Sequence, residues 1–180
     1  MTIQNDISEI VLSVEDIEAI NKNLGERITN DYEGKKPVLV GLLKGSIMFM
    51  ADLIKHIDTH MEIDFMDVSS YGGTKSTGEV KILKDLSTSV EGRHIIIVED
   101  IVETGTTLNS IIEFLTYRKA ASIEIVTLLD KPVPNRKLDV EVKYIGTKIP
   151  DGFVVGYGLD FDQQYRNLPY IGLLKPEFYS

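Results

Sequence analysis

The segment Glu99-Asp100-Ile101-Val102-Glu103-Thr104-Gly105-Thr106-Thr107 gathers three acids and three threonines around one glycine. It follows the apolar run His94 to Val98 (HIIIV). Leu108, Ile111, Ile112 and Leu115 come after it, at the spacing of a helix packed on a sheet. Backbone N–H groups and hydroxyls at a helix N-terminus form a ready phosphate site. Gly105 permits close approach of a ligand to the backbone. Acids just before it can hold hydroxyls or a hydrated Mg²⁺, a hard cation that prefers oxygen ligands. Together these features suit a phosphorylated sugar rather than a bare anion. Helix capping and dipole complementation explain one threonine and one acid, not the whole set.

Two further breaks carry polar residues. Lys44-Gly45-Ser46 ends the apolar run Val38 to Leu43 (VLVGLL), and Asp130-Lys131 ends Ile123 to Leu129. Each run reads as a buried strand. In an open parallel sheet, ligands bind beyond the carboxyl ends of the strands, where all three polar clusters fall.

The remaining elements agree with that geometry. Ser13 followed by Val14, Ile17, Ile20, Leu24 and Ile28 predicts a capped amphipathic helix. Ile47 to Ile57 predicts a second helix, and Ile63 to Val68 a strand. Lys143 to Ile145 and Phe153 to Val155 are weaker strands. Strand and helix alternate, which implies an α/β fold with a central mainly parallel sheet flanked by helices and right-handed crossovers. We expect a single domain over residues 1–180, with a core at about 36–147. The N-terminal segment and about 148–180 would form a small hood. Ser69 to Gly78 (SSYGGTKSTG) is the most loop-like stretch and suits either a mobile lid or a plain hairpin connection.

Composition narrows the function classes. The chain has 180 residues, 43% hydrophobic and 26% charged, ordinary values for a globular domain. Lys and Arg total 19 against 28 Asp and Glu, a formal charge of −9, which argues against a broad nucleic-acid-binding surface. No cysteine is present, which excludes disulfides, Cys-ligated zinc and a Cys nucleophile. No signal-peptide pattern or membrane span is found, so a cytoplasmic location is expected. His56 and His60 lack a third ligand and read as a solvated helix end.

The segment IIIVEDIVETGTTL at 95–108 resembles the phosphoribosyl-pyrophosphate (PRPP) signature of type I phosphoribosyltransferases. Further segments are similar to the bacterial hypoxanthine-guanine phosphoribosyltransferases: LLKGS at 42–46, SSYGG at 69–73, LLDKP at 128–132, IPDGFVVGYGLDFDQQYRNLPYIG at 149–172 and LKPE at 174–177. The resemblance implies the type I phosphoribosyltransferase fold and Mg²⁺-dependent salvage of hypoxanthine to IMP and guanine to GMP, with pyrophosphate released. Xanthine stays open as a secondary substrate. It also implies a homodimer or homotetramer, and some bacterial members bind the alarmone (p)ppGpp in the PRPP site.

The resemblance assigns roles residue by residue. Leu43, Lys44 and Gly45 match the pyrophosphate loop, whose cis peptide aims backbone N–H groups at the leaving group. Arg166 would bind pyrophosphate as well. Ser70 and Tyr71 match the flexible loop that closes over the reacting centre. Glu99 and Asp100 would hold the ribose hydroxyls and the Mg²⁺ shell, with Asp160 serving a second Mg²⁺ and the base's 2-position. Thr104, Gly105, Thr106 and Thr107 would cradle the 5'-phosphate. Lys131 would donate to the purine's exocyclic oxygen, Phe153 would stack on the base, and the Val154 backbone would read its edge. Glu103 would be the catalytic base, also contacting the ribose side.

The chemistry agrees with these roles. Displacement at C1' builds oxocarbenium character on the ribose and negative charge on the departing pyrophosphate, which cationic groups offset. Lys131 donates only, so it favours a 6-oxopurine over adenine. Two departures from the family stand out. Glu103 occupies a position where the family usually has Asp; the extra methylene shifts the carboxylate by about 1.5 Å. Asp130, beside Lys131, stands where relatives also carry an apolar residue, and we expect it to pull on that lysine. A nucleotide-sensing regulator on the same fold would need a basic RNA-binding face, which the charge disfavours. Transfer to adenine or uracil is disfavoured by Lys131 and the GFVVGYGLDF segment.

Overall fold

The computed structural model describes residues 2–70, 80–131, 133–134, 136–138, 141–149 and 151–179. A six-stranded sheet contains β2 (Val38–Leu43), β3 (Glu62–Ser70), β4 (Val80–Lys84), β5 (His94–Val102), β6 (Ser122–Asp130) and β7 (Tyr144–Lys148). Its order is β4-β3-β2-β5-β6-β7. All neighbours are parallel except β3 and β4. The chain runs outward from β2 in one direction and from β5 in the other. The β2–β5 boundary is therefore the switch point where such sheets open a crevice.

Strand alternation divides the apolar runs between two cores. Leu39, Ile96, Val98 and Val126 pack on one face with α1 (Val14–Tyr32) and α2 (Ile47–Leu53). Val38, Val40, Ile95, Ile97 and Ile125 pack on the other with Leu108, Ile111 and Leu115 of α3 (Thr106–Tyr117). Each fully buried aliphatic side chain of this kind is worth roughly 1.5–3 kcal/mol. That burial anchors β5 rigidly enough to carry acids at its end. Helix α1 begins at Ser13 through a capping box: Ser13 Oγ accepts from Asp16 N at 3.1 Å, and Asp16 Oδ2 accepts from Ser13 N at 2.9 Å. Asp16 thus completes the cap of α1.

The structure extends the expected β5. Glu99 and Asp100 do not follow that strand but lie within it, because ladder pairing with β6 continues through Ile101↔Leu129 and Val102↔Asp130. The terminal segments form a second, antiparallel sheet of β1 (Ile7–Leu12), β9 (Ile171–Leu174) and β8 (Val154–Val155), in the order β1-β9-β8. Sequence pattern did not predict β1, β4 or β9. Register shifts interrupt the alternation of β1, and β9 is four residues with Gly172 inside it. This sheet shares the α1/α2 core through Val154 and Ile171, and the turn after β8 through Tyr157 and Leu159.

Candidate active site

Gly45 and Asp100 meet at the switch point. Asp100 Oδ2 lies so close that a Cβ on Gly45 would sit 1.9 Å from it. Gly158 of the hood presses on the same loop, since its Cβ would sit 2.0 Å from the Gly45 carbonyl oxygen. The loop begins with a cis peptide between Leu43 and Lys44. Ser46, fully buried, donates its hydroxyl to the Leu42 carbonyl at 2.6 Å and closes the turn into α2.

A hollow of about 160 Å³ lies at the start of α3, lined by Glu99, Glu103 and Thr104 to Thr107. Gly105 precedes the helix at φ +78°, a left-handed conformation that suits glycine. No side chain caps the helix there. The threonines are therefore not consumed by capping. Among the described residues, Thr104 Oγ1 makes long contacts, 3.5 Å from Thr106 N and 3.4 Å from Thr106 Oγ1. The segment after β6 braces this hollow: Lys137 N donates to Thr104 O at 2.8 Å, and Leu138 packs on Gly105.

A second cavity of about 250 Å³ is lined by Asp100, Glu103, Lys131, Phe153, Val154 and Asp160. It brings together residues from β5, the β6 end and the hood, which are distant in sequence. Lys131 Nζ sits 2.9 Å from Glu103 Oε1 and 3.1 Å from the Gly152 carbonyl oxygen. Phe153 is edge-on to Phe161 and stacked on Tyr179, each at 5.3 Å between ring centroids.

The expected pull of Asp130 on Lys131 is corrected by the structure. Asp130 is buried and ion-paired with Arg136 instead, so its charge is already answered. Lys131 turns the other way, to Glu103.

Burial pushes both acids of β5 upward. Glu99 is raised well above the ordinary carboxylate range by burial and then by the Asp100 charge. Asp100 is raised to about 6 by burial, with Arg166 and two backbone hydrogen bonds opposing. Arg166 is held by the segment after β8. It donates to the Gly158 carbonyl at 2.7 Å and to Gln163 Oε1 at 3.2 Å, and pairs with Asp160 Oδ1 at 2.8 Å. Lys44 Nζ reaches the same Gln163 oxygen at 3.4 Å.

Among the described residues, no group of three or more His, Asp or Glu side chains converges as a metal cage. The raised carboxylates of Glu99 and Asp100 still suit a divalent cation. Mg²⁺ commonly takes one or two carboxylates and completes its shell with water and substrate oxygens. Ser70 ends β3, its backbone paired with Val80. Tyr71, and the expected lid onward to Gly78, lie outside the described residues. Gln163, Gly152, Arg136 and Tyr179 were not singled out from sequence. Each acts through a neighbour whose proximity only the fold creates.

Comparison with known proteins agrees with this geometry. A family model described as a phosphoribosyl transferase domain matches residues 9–162. A hypoxanthine-guanine phosphoribosyltransferase of Staphylococcus aureus is 66% identical over 98% of this chain and 98% of its own. One from Staphylococcus epidermidis is 64% identical over 97% of this chain and 98% of its own. The crystal structure of a hypoxanthine phosphoribosyltransferase from Staphylococcus aureus superposes with a TM-score of 0.93 at 64% identity, covering 99% of this chain and 97% of that one.

Proposed function

The chain belongs to the phosphoribosyltransferase family, and from that premise we propose that it transfers the 5-phosphoribosyl group of PRPP to hypoxanthine or guanine. The products are IMP or GMP and pyrophosphate. The observation that carries this reading is that Glu103 lines both cavities. One carboxylate faces a hollow built for a phosphorylated sugar and a slot built for a flat base. The bond between sugar and base forms where the two meet.

In this reading Thr104 to Thr107 and the α3 N-terminus hold the 5'-phosphate. Phe153 supports the plane of the purine, and Lys131 donates to its 6-oxo group. The purine N9 attacks C1' while the bond to pyrophosphate breaks. Glu103 accepts the proton the purine imidazole ring loses. The Lys44-Gly45 main chain and Arg166 take the charge that builds on the departing pyrophosphate. Glu99 and Asp100 would hold Mg²⁺, with Asp160 on the opposite wall. Bound there, the cation supplies charge neutralisation for pyrophosphate and orientation of the ribose hydroxyls. Ser70 and Tyr71 would cover the reacting centre. On the family resemblance alone, the reading extends to a cytoplasmic homo-oligomer and to (p)ppGpp as a competitor for the PRPP site.

The test is direct. Purified protein with PRPP and Mg²⁺ is offered hypoxanthine, guanine, xanthine, adenine and uracil separately, and nucleotides are separated by chromatography. IMP and GMP should form robustly, with little product from adenine or uracil. Omitting Mg²⁺ should abolish turnover. No product from any base would overturn the reading.

A further inference from the structure

Tyr157 stands in the turn Gly156-Tyr157-Gly158, whose residues all have positive φ: +101°, +50° and +102°. For a tyrosine this left-handed backbone is strained and persists only where surroundings over-determine it. Here they do. The ring is buried. Its hydroxyl accepts from Asn21 Nδ2 of α1 at 3.0 Å and donates to Asp52 Oδ2 of α2 at 2.7 Å. Asn21 is itself fully buried, and its Oδ1 has no partner among the described residues. Among the described residues, the hydrogen bond of that amide goes to Tyr157.

The turn touches the site through its backbone. Gly158 packs against the Gly45 carbonyl. The Gly158 carbonyl accepts from Arg166 Nη1 at 2.7 Å, and Gly158 N donates to Arg166 O at 3.0 Å. Helix α2 starts directly after Lys44-Gly45-Ser46. Asp52 thus sits on the same short helix that the pyrophosphate loop leads into. The Tyr157 hydroxyl itself lines neither cavity.

We propose that Tyr157 is a positioning residue for pyrophosphate. Its hydroxyl pins the hood turn to α1 and α2, so that Gly158 holds Arg166 and Gly45 in one fixed arrangement. This rests on the function proposed above and adds to it a residue that contacts no reacting atom. A hydrogen bond of this kind is worth about 0.5–1.5 kcal/mol, which corresponds to roughly 2–10-fold in binding.

The experiment compares Tyr157→Phe, Asp52→Ala and Asp52→Asn with the unaltered full chain, each first checked for folding by circular dichroism. Steady-state kinetics gives KM for PRPP and for hypoxanthine. Calorimetry with pyrophosphate and Mg²⁺ gives leaving-group affinity without turnover. Tyr157→Phe should weaken PRPP and pyrophosphate by about 2–10-fold and leave KM for hypoxanthine within twofold. Asp52→Ala should reproduce that pattern, and Asp52→Asn, which keeps an acceptor, should largely restore it. The inference is overturned if Tyr157→Phe leaves pyrophosphate affinity unchanged, or weakens the purine equally. Should Tyr157→Phe fail to fold, the Asp52 pair decides on the same criteria. If the unaltered chain shows no turnover, the function reading falls, and pyrophosphate calorimetry still decides the role of Tyr157.

Discussion

Lys131 Nζ and Glu103 Oε1 pair at 2.9 Å in the wall of the cavity proposed for the purine. In the roles proposed above, the cation that would read the base and the carboxylate that would take its proton are paired with each other. In that reading a 6-oxopurine would offer Lys131 an acceptor in place of Glu103 and free the carboxylate, whereas the 6-amino group of adenine would offer a donor and leave the pair intact.

Substitutions at the two positions should separate these roles. Lys131→Met removes the donor and should raise KM for hypoxanthine at least tenfold, with a smaller change for PRPP. It should also narrow the gap between hypoxanthine and adenine. Glu103→Gln keeps size but cannot accept a proton, so kcat should fall by about 10²–10⁴. Glu103→Asp keeps a carboxylate and should stay well above Glu103→Gln. Steady-state kinetics decides, and equal kcat for Glu103→Gln and the unaltered enzyme would remove Glu103 from the base role.

Gly45→Ala tests the contact across the switch point. A methyl there would meet Asp100 Oδ2 at 1.9 Å, so either the loop or the acid must move. The loop proposed to bind pyrophosphate and Asp100 would lose their common register. Misplacement of about 1 Å can cost about 10² in rate, and we expect kcat/KM for PRPP to fall by that order. The purine cavity is not lined by Gly45, so KM for hypoxanthine should change little. A fall confined to hypoxanthine would contradict this assignment.

Much of this site was legible in the residues. EDIVETGTT stood out as a candidate phosphate cradle because it clusters hydroxyls and acids around one glycine, and the fold gathers those residues around one hollow at the start of α3. The buried strands stood out because β2, β5 and β6 are covered on both faces and read as continuous apolar runs. The hood was harder. Strand β1 is bulged and half exposed, and β9 is short, so neither shows a clean period of two. Nor could spacing reveal that Asp130 turns to Arg136 while Lys131 turns to Glu103. Adjacent residues at a strand end diverge, and their partners arrive from loops whose path no local pattern encodes.

Asp100→Asn should trade activity for stability. Burial raises the Asp100 pKa to about 6 in the folded chain, above its ordinary 3.8. A raised acid favours the fold when protonated. Its stabilising contribution is full below about 3.8 and is lost as pH rises through about 6. Glu99 shifts in the same direction. At pH 7 the neutral amide should therefore raise Tm, by about 2–4 °C for each kcal/mol relieved, and the advantage should vanish near pH 4. Activity should fall at least 100-fold. Melting curves of both proteins at several pH values test this, and an Asp100→Asn Tm at or below the unaltered value at pH 7 would refute it.

Tyr179 is the remaining test, because it supports Phe153 from outside the cavity proposed for the purine. Its ring stacks on Phe153 at 5.3 Å and 27°, and it is not among the residues lining the cavity. Phe161 meets the same ring edge-on. Phe153 is still 37% exposed with both neighbours in place, so it depends on them to hold one orientation. An aromatic pair is worth about 0.5–1.5 kcal/mol beyond its buried area. Tyr179→Ala should accordingly raise KM for hypoxanthine and guanine by about 2–10-fold. Tyr179→Phe keeps the stack and should behave like the unaltered chain. KM for PRPP should hold in both, since Tyr179 lies outside the phosphate hollow. Equal purine KM values for Tyr179→Ala and Tyr179→Phe would mean that Phe161 and the hood backbone alone orient Phe153.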